Sequence, residues 1–184
     1  MDDLSLHVLD IAENSIRAGA TVIEILIDEN IKKNLLSIKI KDNGRGIDKN
    51  ELSKVLDPFY TTKKGKRIGL GLALLAQSAH EAMGKFDIIS KPGRGTDVLA
   101  TFVYDHIDRK PLGDMGETVM ALIGTHADKI DVVYAHKVND RGFKLGTSNV
   151  KSMLDGVPIM NPEVMDFLRH KLQSELKKLG VNRK

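Results

Sequence analysis

The stretch IKIKDNGRGI, Ile38–Ile47, decides the reading of this chain, because two patterns with different physical meanings meet in it. Its first half alternates apolar and polar residues with the period of a strand that has one buried face. Its second half, Asp42-Asn43-Gly44-Arg45-Gly46, gathers residue types suited to turns, since Gly and Asn tolerate positive φ. Taken alone, it is most simply a strand that ends in a turn. A strand end that offers a carboxylate beside two residues without Cβ is also a place where a flat ligand can approach the backbone closely.

Upstream, Leu4, Val8, Leu9, Ile11, Ala12 and Ile16 fall at helical spacing, with His7, Asp10, Asn14 and Arg17 on a second, polar stripe, so a helix is expected over residues 4–18, stopping near Gly19. TVIEILID (Thr21–Asp28) and LLSIKIKD (Leu35–Asp42) alternate as strands and predict an antiparallel hairpin. Downstream, residues 48–56 predict a short helix capped by Asp48, and DPFYTTKKGKRIGLG (Asp57–Gly71) a mobile loop. Residues 70–83 predict a helix capped by Gly84, and residues 85–90 and 97–104 two strands around the turn KPGRGT. The expected fold is therefore an α/β two-layer sandwich: a mixed, mostly antiparallel sheet covered by helices.

HIDRKPLGD (His106–Asp114) has the Pro and Gly content of a linker, which divides the chain into residues 1–105 and a small α+β region, 106–184. The latter predicts a helix over 115–125, a hairpin over 131–145 turning at Asn139–Gly142, and a helix over 162–179 whose apolar stripe is Val164, Phe167, Leu168, Leu172, Leu176 and Leu179. So short a region is expected to pack on the first domain or to pair with a second copy.

The 184 residues carry a formal charge of +3 without a concentrated basic stripe, so nucleic acid is not an expected partner. The chain contains no cysteine, which excludes disulfides and thiolate metal sites. The acidic start MDDLSLHVLD is unlike a signal peptide, and no run reaches the roughly 18 apolar residues of a membrane span; a soluble cytoplasmic protein is the expectation.

Four elements then stand in order: DIAEN, DNGRGI, TTKKGKRIGLGLA and GRGT. Each has a structural explanation by itself, but one ligand accounts for all of them. Asp42 is suited to accept a hydrogen bond from an exocyclic amine such as that of adenine, with Gly44 and Gly46 admitting the base. Gly69 and Gly71 at a helix start favour phosphates, with Lys63, Lys64, Lys66 and Arg67 supplying charge nearby. Asn14 offers a neutral oxygen to Mg²⁺, and Asp10, one turn before it, is placed to orient a water for attack on a terminal phosphate.

DIAENSIRAGAT, DNGRGI, DPFYTTKKGKRIGLGLALL and GRGT resemble the N, G1, F-plus-G2 and G3 boxes of the GHKL ATPases, a superfamily of gyrase, heat-shock chaperones, histidine kinases and mismatch-repair proteins. The resemblance spans residues 4–104 and implies the Bergerat sandwich, with ATP and Mg²⁺ under a lid. It implies Asn14 as the Mg²⁺ ligand, Asp42 as the adenine-reading carboxylate with Thr96 beside it, and Gly44, Gly46, Gly69 and Gly71 as close-approach or hinge positions. Asp10 stands where hydrolysing members carry a glutamate, and is one methylene shorter.

With three residues before the first helix, no phosphoacceptor-histidine helix is expected. Two functions follow: a stand-alone kinase or slow ATPase acting on a regulatory protein partner, or a non-catalytic, nucleotide-gated protein-binding switch.

Overall fold

A computed structural model describes residues 3–55 and 71–181. Helix α1 (Leu4–Arg17) begins where the Asp3 carboxylate accepts from Leu6 N, and stops before Gly19 at φ +80°. Strands β1 (Val22–Asn30) and β2 (Leu35–Asp42) pair antiparallel around a single 3₁₀ turn at Ile31–Lys33. Helix α2 (Lys49–Val55) follows Asp48, whose carboxylate accepts from Asn50 N. Helix α3 (Gly71–Glu81) leads into β3 (Phe86–Lys91) and β4 (Gly95–Val103), and β4 pairs with both β3 and β2.

The later region continues the same sheet. After α4 (Met115–His126), β5 (Asp131–Val138) pairs parallel with β1, and β6 (Arg141–Gly146) closes the order β3-β4-β2-β1-β5-β6. Two further helices, α5 (Thr147–Met153) and α6 (Pro162–Leu179), complete the chain.

One core sits beneath the helices. Ile25, Ile40, Val98 and Tyr134 lie in register across four strands, all buried, and Val8, Leu75, Val119 and Leu172 from α1, α3, α4 and α6 pack with them. On the opposite face of the sheet Glu24, Leu26, Lys39 and Leu99 are half-buried, whereas Asp87 and Ile89 of β3 are exposed. This is the two-layer α/β sandwich of the sequence reading.

Three details depart from the sequence expectations. The residue with positive φ behind α3 is Met83 (φ +54°), not Gly84; Gly84 is required because a Cβ there would stand 1.7 Å from the Thr101 carbonyl oxygen. Residues 147–153 are helical, though no helix was expected there, since seven residues give too short a period to read. On α6, Leu168, Leu172, Leu176 and Leu179 are buried as expected, but Phe167 is 62% exposed. Phe167 instead carries the Lys171 ammonium above its ring. The expected loop over 57–71 falls outside the described residues up to residue 70. No helix among the described residues is long and apolar enough to cross a membrane.

Candidate nucleotide site

Asp42 is the last residue of β2 and continues the inward series Leu36, Ile38, Ile40, so its carboxylate points under α1 rather than into solvent. It is 8% exposed. Its Oδ2 accepts from Ser15 Oγ at 2.7 Å and its Oδ1 from Gly44 N at 2.8 Å. Two donors fix the carboxylate plane, and lone pairs remain for a ligand N–H. Thr96 stands directly opposite Asp42 in the β2–β4 register, which places the expected pair side by side. Ser90 completes the group: its Oγ accepts from Ile47 N, donates to the Gly95 carbonyl oxygen and lies 2.9 Å from Thr96 Oγ1.

The glycines keep this floor low. A Cβ on Gly44 would come within 3.1 Å of Asp42 Oδ1, and one on Gly46 (φ +69°) within 2.1 Å of the Lys91 carbonyl oxygen. Arg45, exposed, acts through its backbone: its N–H donates to the Ala18 carbonyl and its own carbonyl accepts from Gly93 N. The DNGRG turn is thereby laced between the end of α1 and the KPGRGT turn. Asn43 adds a second tie, accepting from both Thr21 N and Val22 N while donating to Thr21 Oγ1.

Along α1, Asn14 is half-buried one residue before Ser15, and Asp10 is half-buried one turn further back. Asp10 Oδ2 accepts from Gly71 N, the first amide of α3, at 2.8 Å. A Cβ on Gly71 would lie 2.4 Å from that oxygen, so glycine is what allows this contact. Glu13 is turned elsewhere: its Oε1 is 2.9 Å from His126 Nε2 at the end of α4, which leaves Asp10 as the carboxylate on the Asn14 stripe. Lys63 and Gly69 of the expected site lie outside the described residues.

Sequence reasoning named Asp10, Asn14, Asp42, Gly44, Gly46, Gly71 and Thr96, and it missed Ser15, Asn43 and Ser90. The signal for Ser15 was present: a hydroxyl interrupting the inward series Leu4, Val8, Ile11 has to find a buried acceptor. The arrangement fits a purine nucleotide, with a buried carboxylate held by two donors, a glycine floor that any Cβ would fill, and a helix carrying polar groups away from it. Asn14 fits Mg²⁺, which needs few protein oxygens when phosphates supply the rest.

Comparison with known proteins bears on the family and the fold of the chain. The family model described as histidine kinase-, DNA gyrase B- and HSP90-like ATPase matches residues 2–106. The sensor protein kinase FleS of Pseudomonas aeruginosa is 34% identical over 117 residues, covering 63% of this chain and 28% of FleS. The sensor histidine kinase YxdK of Bacillus subtilis is 36% identical over 70 residues, 36% of this chain and 22% of YxdK. The chain thus spans little more than a quarter of FleS and less of YxdK. Among solved structures, the N-terminal domain of a DNA repair protein superposes with a TM-score of 0.55 at 17% identity, covering 79% of this chain and 52% of that one, a likeness of fold.

Proposed function

Because the chain belongs to the histidine kinase-, DNA gyrase B- and HSP90-like ATPase family, we propose that it binds ATP with Mg²⁺ at the end of β2 and uses it in regulation, as a kinase or slow ATPase acting on a partner protein. The observation that carries this reading is the Asp42 carboxylate, buried and held by Ser15 and Gly44 above a floor of glycines. The base donates its amine to Asp42, with Thr96 alongside. Asn14 supplies an oxygen to Mg²⁺, and that ion, when bound, neutralises charge between the phosphates. Asp10 orients the group that attacks the terminal phosphate.

A second reading has one specific observation in its favour. Asp10 is the shorter acid and already holds the first amide of α3, an arrangement suited to sensing nucleotide by moving α3 rather than to activating water. In that reading ATP gates a surface for a regulatory protein partner or a second copy of the chain.

Titrating a fluorescent ATP analogue with and without Mg²⁺ tests the site: Asp42→Asn is expected to weaken binding at least tenfold, and Asn14→Ala to remove the Mg²⁺ dependence. Unchanged binding in Asp42→Asn overturns the assignment. Labelled ATP separates the readings: release of phosphate, or labelling of a partner, above the Asp10→Ala level supports the enzyme, and equal levels support the switch.

A further inference from the structure

Two histidines are fully buried, and the fold treats them differently. His136, 1% exposed, has both ring nitrogens filled: Nδ1 lies 2.6 Å from Tyr134 Oη and Nε2 lies 2.8 Å from Glu29 Oε1. His7, 0% exposed, has neither nitrogen hydrogen-bonded to protein. Burial, and next the charge of Lys110, lower its pKa to about 4, against the opposing pull of Asp3 and Asp10, so the ring is neutral at pH 7. A neutral imidazole carries one N–H donor and one acceptor lone pair, and burying either without a partner opposes folding. An apolar side chain at this position would avoid that cost, as Val8 and Leu4 do nearby.

The position of His7 points to what its ring meets. At 100° per residue it lies about 20° from Asn14, two turns away, and shares the stripe of Asp10, one turn away. Along α1 the groups follow the order of a nucleotide's parts: Ser15 on the base-reading Asp42, then Asn14, then Asp10 at the first amide of α3, then His7. Ser15 to His7 is about 12 Å of helix, and helical side chains lean further toward the N-terminus.

We propose that His7 reads the terminal phosphate of the bound nucleotide, its neutral ring donating N–H to a phosphate oxygen, so that among the described residues it contributes to distinguishing a triphosphate from a diphosphate. This rests on the reading of the site as a nucleotide site.

Dissociation constants of the full chain for Mg–ADP and for a non-hydrolysable ATP analogue test it, in wild type, His7→Gln and His7→Leu. Leu is expected to lower the preference for the triphosphate about tenfold with ADP affinity unchanged, and Gln, which keeps a neutral donor, to retain most of it. Equal weakening of both ligands, or an unchanged preference, overturns the proposal and makes His7 a core residue. The imidazole NMR signals of His7 in wild type decide the matter without any variant: they are expected to move with the triphosphate analogue and not with ADP, and identical responses overturn the proposal. Wild type binding neither nucleotide defeats the nucleotide reading itself, whereas binding both with no role for His7 defeats only this inference.

Discussion

Gly46 and Gly93 both have positive φ, at +69° and +73°, yet only Gly46 has backbone in the way of a Cβ. Gly46→Ala is therefore expected to destabilise the fold by more than about 2 kcal/mol and to abolish nucleotide binding, while Gly93→Ala costs only the left-handed strain of about 1 kcal/mol. Urea unfolding of the two variants checks this. His7 gives a pH dependence whose sign follows from its lowered pKa. Above pH 6.5 both folded and unfolded chains hold the ring neutral; as pH falls from 6.5 toward 4 the unfolded chain takes a proton that the folded one refuses. Stability is expected to fall across that window by roughly 1 kcal/mol per pH unit, and His7→Gln to flatten that part of the urea-midpoint profile. At this scale the sequence was legible where a residue's chemistry is unusual for its position, as with Asp42 closing an apolar strand series. It was not legible for Ser90 and Asn43, whose roles depend on partners 43 and 22 residues away.

Helix α6 shows how far periodicity carries at the scale of an element. The spacing Leu168, Leu172, Leu176, Leu179 identified the buried face, whereas Phe167, apolar and adjacent, turned outward because 100° per residue carries it past the edge of the stripe. Leu172→Ala is expected to cost about 2–5 kcal/mol and Phe167→Ala less than about 0.5 kcal/mol, both read from thermal or urea unfolding. The end of α3 was harder to read, since Gly84 looked like a helix cap and is in fact the point where the chain crosses Thr101. A sequence carries the need for glycine but not which of its two properties, free φ or missing Cβ, is being used. Strand β5 illustrates a further limit: its alternation was clear, but its parallel partner β1, about 110 residues earlier, was not encoded in any local pattern.

For the whole molecule, the region after residue 105 and the nucleotide-binding half share one sheet and one core. Val119, Leu122 and Ile123 of α4 are buried with α1, and Glu29 of β1 meets His136 of β5 and Tyr104 in a buried polar group whose Tyr134 hydroxyl is pushed well above the ordinary tyrosine range by burial and Glu29. A chain ending at Asp105 is expected to lack a cooperative unfolding transition and to bind no nucleotide, as judged by circular dichroism and the same fluorescent titration. The parallel pairing of β1 with β5 also sets the order of assembly. During synthesis β1 can join β2 as soon as the hairpin is made, but its other edge stays open until residues 131–138 have emerged. Until then a nascent chain presents Ile23, Ile25 and Ile27 on an unguarded strand, an invitation to the same strand of a neighbour, so slow translation through α4 is where aggregation would begin.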